Sequence, residues 1–91
     1  MNTKEKLSNI KKMGLSKLYV LILHNDDHNS FDWVIECLIR ICGHDLEQSA
    51  QCAFIVHNNG KCSVKYGDKE TISYIKEKLT ECGLTVTMEL S

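Results

Sequence analysis

The residues of this chain best suited to chemistry are Asn25, Asp26 and Asp27, with His57 thirty residues further on. The triplet follows the run Leu18 to Leu23, which is apolar throughout and reads as a buried strand, with His24 between them. Polar residues of these types do not continue such a strand, so two adjacent carboxylates are held at the end of a rigid element. One reading is a strand-to-helix loop whose acids are favoured by the dipole of the helix just downstream. The other is a small anionic site facing a cation. Which of them holds depends on what the fold brings beside the triplet.

The flanking pattern gives the elements that must do this. A first strand is expected over about Lys17 to His24, with both alternating sets apolar (Leu18, Val20, Ile22 and Tyr19, Leu21, Leu23), which makes it the most buried strand. A first helix is expected from a cap at Asn29, with Asp32 in a capping-box arrangement. Its apolar face is Phe31, Val34, Ile35, Leu38, Ile39 and Cys42, and Gly43 ends it. A second helix opens at Asp45 with Gln48 three residues on, runs through Ala50, Ala53, Phe54 and Val56 to His57, and closes at Asn58-Asn59-Gly60. Two helices of similar length joined by Gly43 and His44 must fold back as an antiparallel hairpin. At ~1.5 Å rise per residue, the end of the second then returns beside the start of the first. His57 is thereby carried to the Asn25-Asp26-Asp27 loop, with Phe31, Val34, Ala53 and Val56 forming an apolar patch next to it.

The remainder reads as scaffold. Lys61 to Tyr66 alternates as a strand with Cys62, Val64 and Tyr66 inward. Asp68 caps a third helix bearing Ile72, Ile75, Leu79 and Cys82, Gly83 ends it, and Leu84, Val86 and Met88 alternate in a last strand. Trp33 and the Ile72/Ile75/Leu79 stripe read as core or partner-facing surface. The order is βααβαβ, an α+β fold in which a small three-stranded antiparallel sheet is covered by three helices. Residues 1–16 carry Lys4, Lys6, Lys11 and Lys12 without a sustained apolar pattern and read as a flexible N-terminal arm before a core domain over 17–91.

Composition narrows the function classes. With 11 basic and 12 acidic residues, the chain lacks the basic excess that general nucleic-acid binding requires. The five cysteines contain no Cys-x-x-Cys pair and fall within or beside apolar patterns, so they are expected to be reduced, mostly buried small hydrophobes of a cytoplasmic protein. No apolar run approaches the ~20 residues of a membrane span, and no signal-type apolar region follows the lysines. Histidines 24, 28, 44 and 57 show no ligand spacing, so neither a metal nor any other cofactor is expected. Catalysis would need a nucleophile near His57; Cys52 lies five residues earlier on the same helix and points elsewhere, so the chain is not expected to be an enzyme.

Carboxylate, amide and imidazole acceptors beside an apolar recess suit a ligand with a positive donor group one or two bonds from a hydrophobic side chain. A free N-terminal amino acid fits: its α-ammonium supplies three donors, and its side chain leaves the same carbon. At these residues the chain resembles a known family. Val-Leu-Ile-Leu-His-Asn-Asp-Asp, then Phe-Asp-Trp-Val-Ile-Glu, then Ala-Phe-Ile-Val-His-Asn-Asn-Gly-Lys, looks like ClpS, the adaptor that hands N-end-rule substrates to the Clp protease, over about residues 18 to 90.

The resemblance implies that Asn25, Asp26, Asp27 and His57 bind the α-amino group, with Asn25, Asp27 and His57 touching it directly and Asp26 adding charge or acting through water. It implies a hydrophobic pocket of Leu23, His24, Asn29, Phe31, Val34, Ala53, Val56 and Leu84 that receives Leu, Phe, Tyr or Trp. It implies two partners, N-degron-bearing protein substrates and a Clp AAA+ unfoldase of ClpA or ClpC type, to which a monomeric adaptor delivers them. Many members carry methionine at the positions of Phe31 and Ala53, so here one wall is bulkier and the opposite one smaller. The arm before Leu18 is short beside the N-terminal extension of some relatives. A ClpS-fold interaction domain that binds the unfoldase or another partner without reading N-degrons is the alternative.

Overall fold

The computed structural model describes residues 17–91; the arm expected over 1–16 lies outside them. Among the described residues the chain forms, in order, β1 (Tyr19–His24), α1 (Phe31–Cys42), α2 (Leu46–Asn59), β2 (Lys61–Gly67), α3 (Lys69–Glu81) and β3 (Thr85–Leu90). The sheet order is β2-β1-β3 with both pairings antiparallel. The fold is α+β, in the expected βααβαβ order.

β1 is central because it alone is apolar on both faces. Leu21 and Leu23 are essentially inaccessible, and Val20 and Ile22 on the other face are buried as well. Leu21 and Leu23 join Cys37 and Leu38 of α1, Cys52 and Val56 of α2, Val64 of β2, and Ile72, Ile75 and Leu79 of α3 in one core. That shared burial is what fixes the helices against the sheet. All five cysteines are free, three of them buried, and burial pushes the Cys42 thiol up to about 11. Among the described residues no helix is long and apolar enough to cross a membrane.

Each helix starts where a side chain can accept from its free amides. Asp45 accepts from Gln48 N at 2.7 Å, and Asp68 from Thr71 N at 2.7 Å. The first helix departs from expectation: its cap is Ser30, whose hydroxyl accepts from Trp33 N at 3.1 Å, and not Asn29. Asn29 is drawn away by tertiary partners described below. Gly43 and Gly60 take left-handed φ of 74° and 93° at the ends of α1 and α2, the conformation in which glycine carries no steric penalty.

Two further expectations are corrected. The core stripe of α1 runs through half-buried Trp33, Val34 and Ile41 and buried Cys37, Leu38 and Cys42, while Ile39 and Phe31 are exposed. The face is rotated because α3 and the sheet, as well as α2, pack on this helix. In β2 the alternation breaks: Leu21 pairs with Lys65 but Ile22 with Ser63, so Val64 is an extra residue in the strand. This bulge leaves Tyr66 exposed and turns Lys65 inward, where its ammonium donates to Cys42 O at 3.2 Å and caps the end of α1.

Candidate functional site

The polar triplet leaves β1 at the one end of the sheet to which the helix hairpin returns. Asn25 N donates to Gly60 O at 2.8 Å, so the start of the loop is bonded to the cap residue of α2. Because Gly60 N in turn donates to Val56 O at 2.9 Å, the last turn of α2, with His57 in it, is set beside the triplet. The loop is closed on itself by Asp26, which accepts from His28 N and Asn29 N, both at 2.9 Å, as an Asx-turn acceptor does. α1 then begins immediately at Phe31.

These constraints enclose an open cleft of about 410 Å³, within the ~300–1,000 Å³ common for small-ligand sites. Its polar side is Asn25, Asp26, Asp27, Asn29, His24 and His57. Its apolar side is Leu23 from β1, Phe31 and Val34 from the first turn of α1, and Ala53 and Val56 from the last turns of α2. Leu84 is not part of it: residue 84 precedes β3, and its side chain is turned into the main core. Ala53 is buried in the cleft wall, whereas Phe31 is 44 % exposed and forms a rim.

The polar residues divide into engaged and open groups. Asp26 takes Asn29 Nδ2 on both oxygens, at 3.0 and 2.9 Å, and the Thr85 hydroxyl at 3.4 Å. Asn29 Nδ2 also donates to Gly83 O at 2.8 Å. His24 Nε2 lies 2.7 Å from the Thr87 hydroxyl. In contrast, the side chains of Asn25, Asp27 and His57 make no hydrogen bond among the described residues and are exposed to the cleft. The open set therefore combines an anionic acceptor, an amide and an imidazole. Among the described residues no three His, Cys, Asp or Glu side chains are grouped to hold a metal ion.

Partial burial pushes the Asp26 carboxyl up, but the donors from Asn29, His28 N, Asn29 N and Thr85 outweigh it and hold it below its ordinary value. Its folded value being the lower, the stabilisation is complete above the unfolded carboxyl range, ~3.9, and is lost as pH falls through the folded value. The side-chain carboxyl carbon of Asp26 is expected to keep its ionised position in an acid titration down to about pH 4 and to move only below it. A change centred between pH 5 and 6 would contradict this.

Asn29 lies at the cleft but its polar end is directed to Asp26 and Gly83, so it is neither a helix cap nor a bare apolar wall. Sequence reasoning missed Thr85 and the Gly83 carbonyl altogether. Thr85 sits in an alternating strand where a hydroxyl is unremarkable, and a carbonyl leaves no mark in a sequence. It also missed the bond from Trp33 Nε1 to Cys82 O, 2.9 Å, which pins the first turn of α1 to the end of α3.

Comparison with known proteins agrees with this architecture. The family model described as "ATP-dependent Clp protease adaptor protein ClpS" matches residues 15–87. An ATP-dependent Clp protease adapter protein ClpS from Desulforapulum autotrophicum is 35% identical over 51 residues, 56% of this chain and 49% of the relative. That of Campylobacter jejuni is 41% identical over 49 residues, 54% of this chain and 51% of the relative. The matched stretch thus spans about half the length of these curated relatives. Among solved structures, Agrobacterium tumefaciens ClpS2 bound to L-phenylalaninamide superposes with a TM-score of 0.80 at 21% identity, covering 82% of this chain and 98% of that one. With a family model matched over most of its length, the chain belongs to the ClpS family of ATP-dependent Clp protease adaptor proteins.

Proposed function

We propose that this chain is an N-degron adaptor: it holds the free α-amino group and large hydrophobic side chain of a protein's first residue and delivers that protein to a Clp AAA+ unfoldase of ClpA or ClpC type. The observation that carries the reading is the juxtaposition, in one cleft, of the unengaged acceptors Asn25, Asp27 and His57 with the apolar wall of Leu23, Phe31, Val34, Ala53 and Val56. An α-ammonium can donate to all three acceptors while the side chain on the same carbon enters the apolar half. The ligand in the Agrobacterium tumefaciens structure, L-phenylalaninamide, is a compound of this kind, with an α-amine and a benzyl group on one carbon. The adaptor acts in the cytoplasm as a monomer whose core is residues 17–91, and it binds rather than transforms its ligand.

Magnitudes fit an adaptor that must release its cargo. Burying one large apolar side chain contributes ~1.5–3 kcal/mol, and each charge-assisted hydrogen bond nets ~1.5–3 kcal/mol. Set against an association cost of at least several kcal/mol, these give an affinity on the order of micromolar.

The test is a panel of free-amine peptides differing only in the first residue. Leu, Phe, Tyr and Trp are expected to bind at least about tenfold more tightly than Gly, Ser or Asp. Equal binding across the panel, or none, would favour a ClpS-fold interaction domain that does not read N-termini. The same panel on Ala53→Met tests the wall: the longer side chain fills space opposite Phe31, and overpacking of ~1–3 kcal/mol lowers affinity for Trp about tenfold while sparing Leu. An unchanged ranking would place the side-chain pocket elsewhere.

A further inference from the structure

Asp26 sits in the middle of the acidic triplet, yet its surroundings differ from those of its neighbours. One carboxylate oxygen, Oδ1, accepts from His28 N, Asn29 N and Asn29 Nδ2 at 2.9, 2.9 and 3.0 Å. The other, Oδ2, accepts from Asn29 Nδ2 at 2.9 Å and from the Thr85 hydroxyl at 3.4 Å. An ionised carboxylate offers about four lone-pair directions, and four donors are directed at them, Asn29 Nδ2 being shared between the two oxygens and the Thr85 hydroxyl the longest contact. The Nδ2 donors of Asn29 are equally spent. One of its two protons is shared across the carboxylate, and the other is directed to Gly83 O at 2.8 Å.

We infer that Asn29 is a positioning residue of the cleft: together with Thr85 it occupies Asp26, anchors the loop to the turn between α3 and β3, and leaves the α-ammonium to Asn25, Asp27 and His57. The inference rests on the amine-binding reading and deepens it. It gives the two adjacent acids different roles, Asp27 facing the ligand and Asp26 facing the protein. It also makes the start of β3, 59 residues from Asp26 in sequence, part of the machinery that shapes the site. The charged and titratable groups around Asp26 are His24 at the end of β1, Asp27 and His28 in the loop, and His57 at the end of α2.

Asn29→Asp tests this with almost no change of shape, since it removes both Nδ2 donors and sets a second carboxylate against Asp26. The full chain is titrated with a Phe-initiated free-amine peptide and, in parallel, with its N-acetylated form, and side-chain carboxyl carbons are followed by NMR. Asn29→Asp is expected to weaken the free-amine peptide at least about tenfold, the equivalent of one charge-assisted hydrogen bond, and to raise the titration midpoint of Asp26. Asn29→Thr, which restores one donor, is expected to recover part of both, and Thr85→Val to give a smaller loss. In the unsubstituted protein, peptide addition is expected to move the carboxyl signal of Asp27 and to leave that of Asp26 nearly in place.

Wild-type affinity from Asn29→Asp with an unmoved Asp26 midpoint would overturn the inference, as would an Asp26 signal that moves with peptide as much as that of Asp27. The last measurement needs no variant, so a substitution that fails to fold does not remove the test. If the unsubstituted protein binds free and acetylated peptides alike, the amine-binding reading itself falls. If it distinguishes them and Asn29→Asp behaves as wild type, only the role of Asn29 is wrong.

Discussion

A peptide that begins with Phe and carries a free amine is expected to bind this protein, and the same peptide acetylated at that amine to bind at least about a hundredfold more weakly. Acetylation removes the positive charge and two of the three donors while leaving the side chain untouched. Losing two charge-assisted hydrogen bonds at ~1.5–3 kcal/mol each removes ~3–6 kcal/mol, and each 1.4 kcal/mol is about tenfold. The structure makes the penalty one-sided. Asn25, Asp27 and His57 line the cleft without partners among the described residues, so an acetyl group that displaces water from them leaves acceptors unsatisfied. Fluorescence anisotropy with a labelled pair of peptides reads the difference directly. Equal affinities would mean that the apolar wall alone captures the ligand, and the acceptors would need another explanation.

The second large effect concerns stability. Leu38 is inaccessible to solvent at the centre of α1 and packs in the core that joins both helices of the hairpin to the sheet. Leu38→Ala is expected to cost ~2–5 kcal/mol, the transfer term plus the cavity left behind. A domain of this size is stable by only about 5–15 kcal/mol, and its melting temperature moves roughly 4–8 °C per kcal/mol. A thermal melt followed by circular dichroism should therefore fall by about 10–30 °C. Phe54→Ala, on the neighbouring helix but 61% exposed, is the control and should change stability by no more than about 0.5 kcal/mol. A small effect at Leu38 would mean that the hairpin is held by something other than this core.

The elements were legible because the chain is heavily punctuated. Gly43, Gly60 and Gly83 follow the three helices, Asp45 and Asp68 cap two of them, and the doubly apolar run from Leu18 to Leu23 identifies the central strand. The meeting of His57 with the triplet was legible too, since helices of similar length on a short connection have one way to return. What could not be read was any feature decided at long range. Asn29 and Ser30 are both good caps, and the choice between them turns on Gly83 O, which holds the Asn29 amide. The bulge at Val64 depends on how β2 registers with β1, and it is invisible in a run that alternates cleanly on paper. Leu84 falls to the core rather than the cleft because the bend after Gly83 decides which way it faces.

The bonds from Asp26 to Thr85 and from Asn29 to Gly83 also set an order of assembly. Residues 25–29 emerge early in synthesis, yet their partners lie 54 and 59 positions later, and β1 pairs along its whole length with the final strand. Contacts of such long range form only after the entropy of closing a large loop has been met, so they come late in folding. A nascent chain that has made the helix hairpin but not β3 has the triplet and His57 without the clamp that shapes them. The cleft is therefore completed only when β3 is available, and a ribosome-bound fragment that ends before it has no finished cleft.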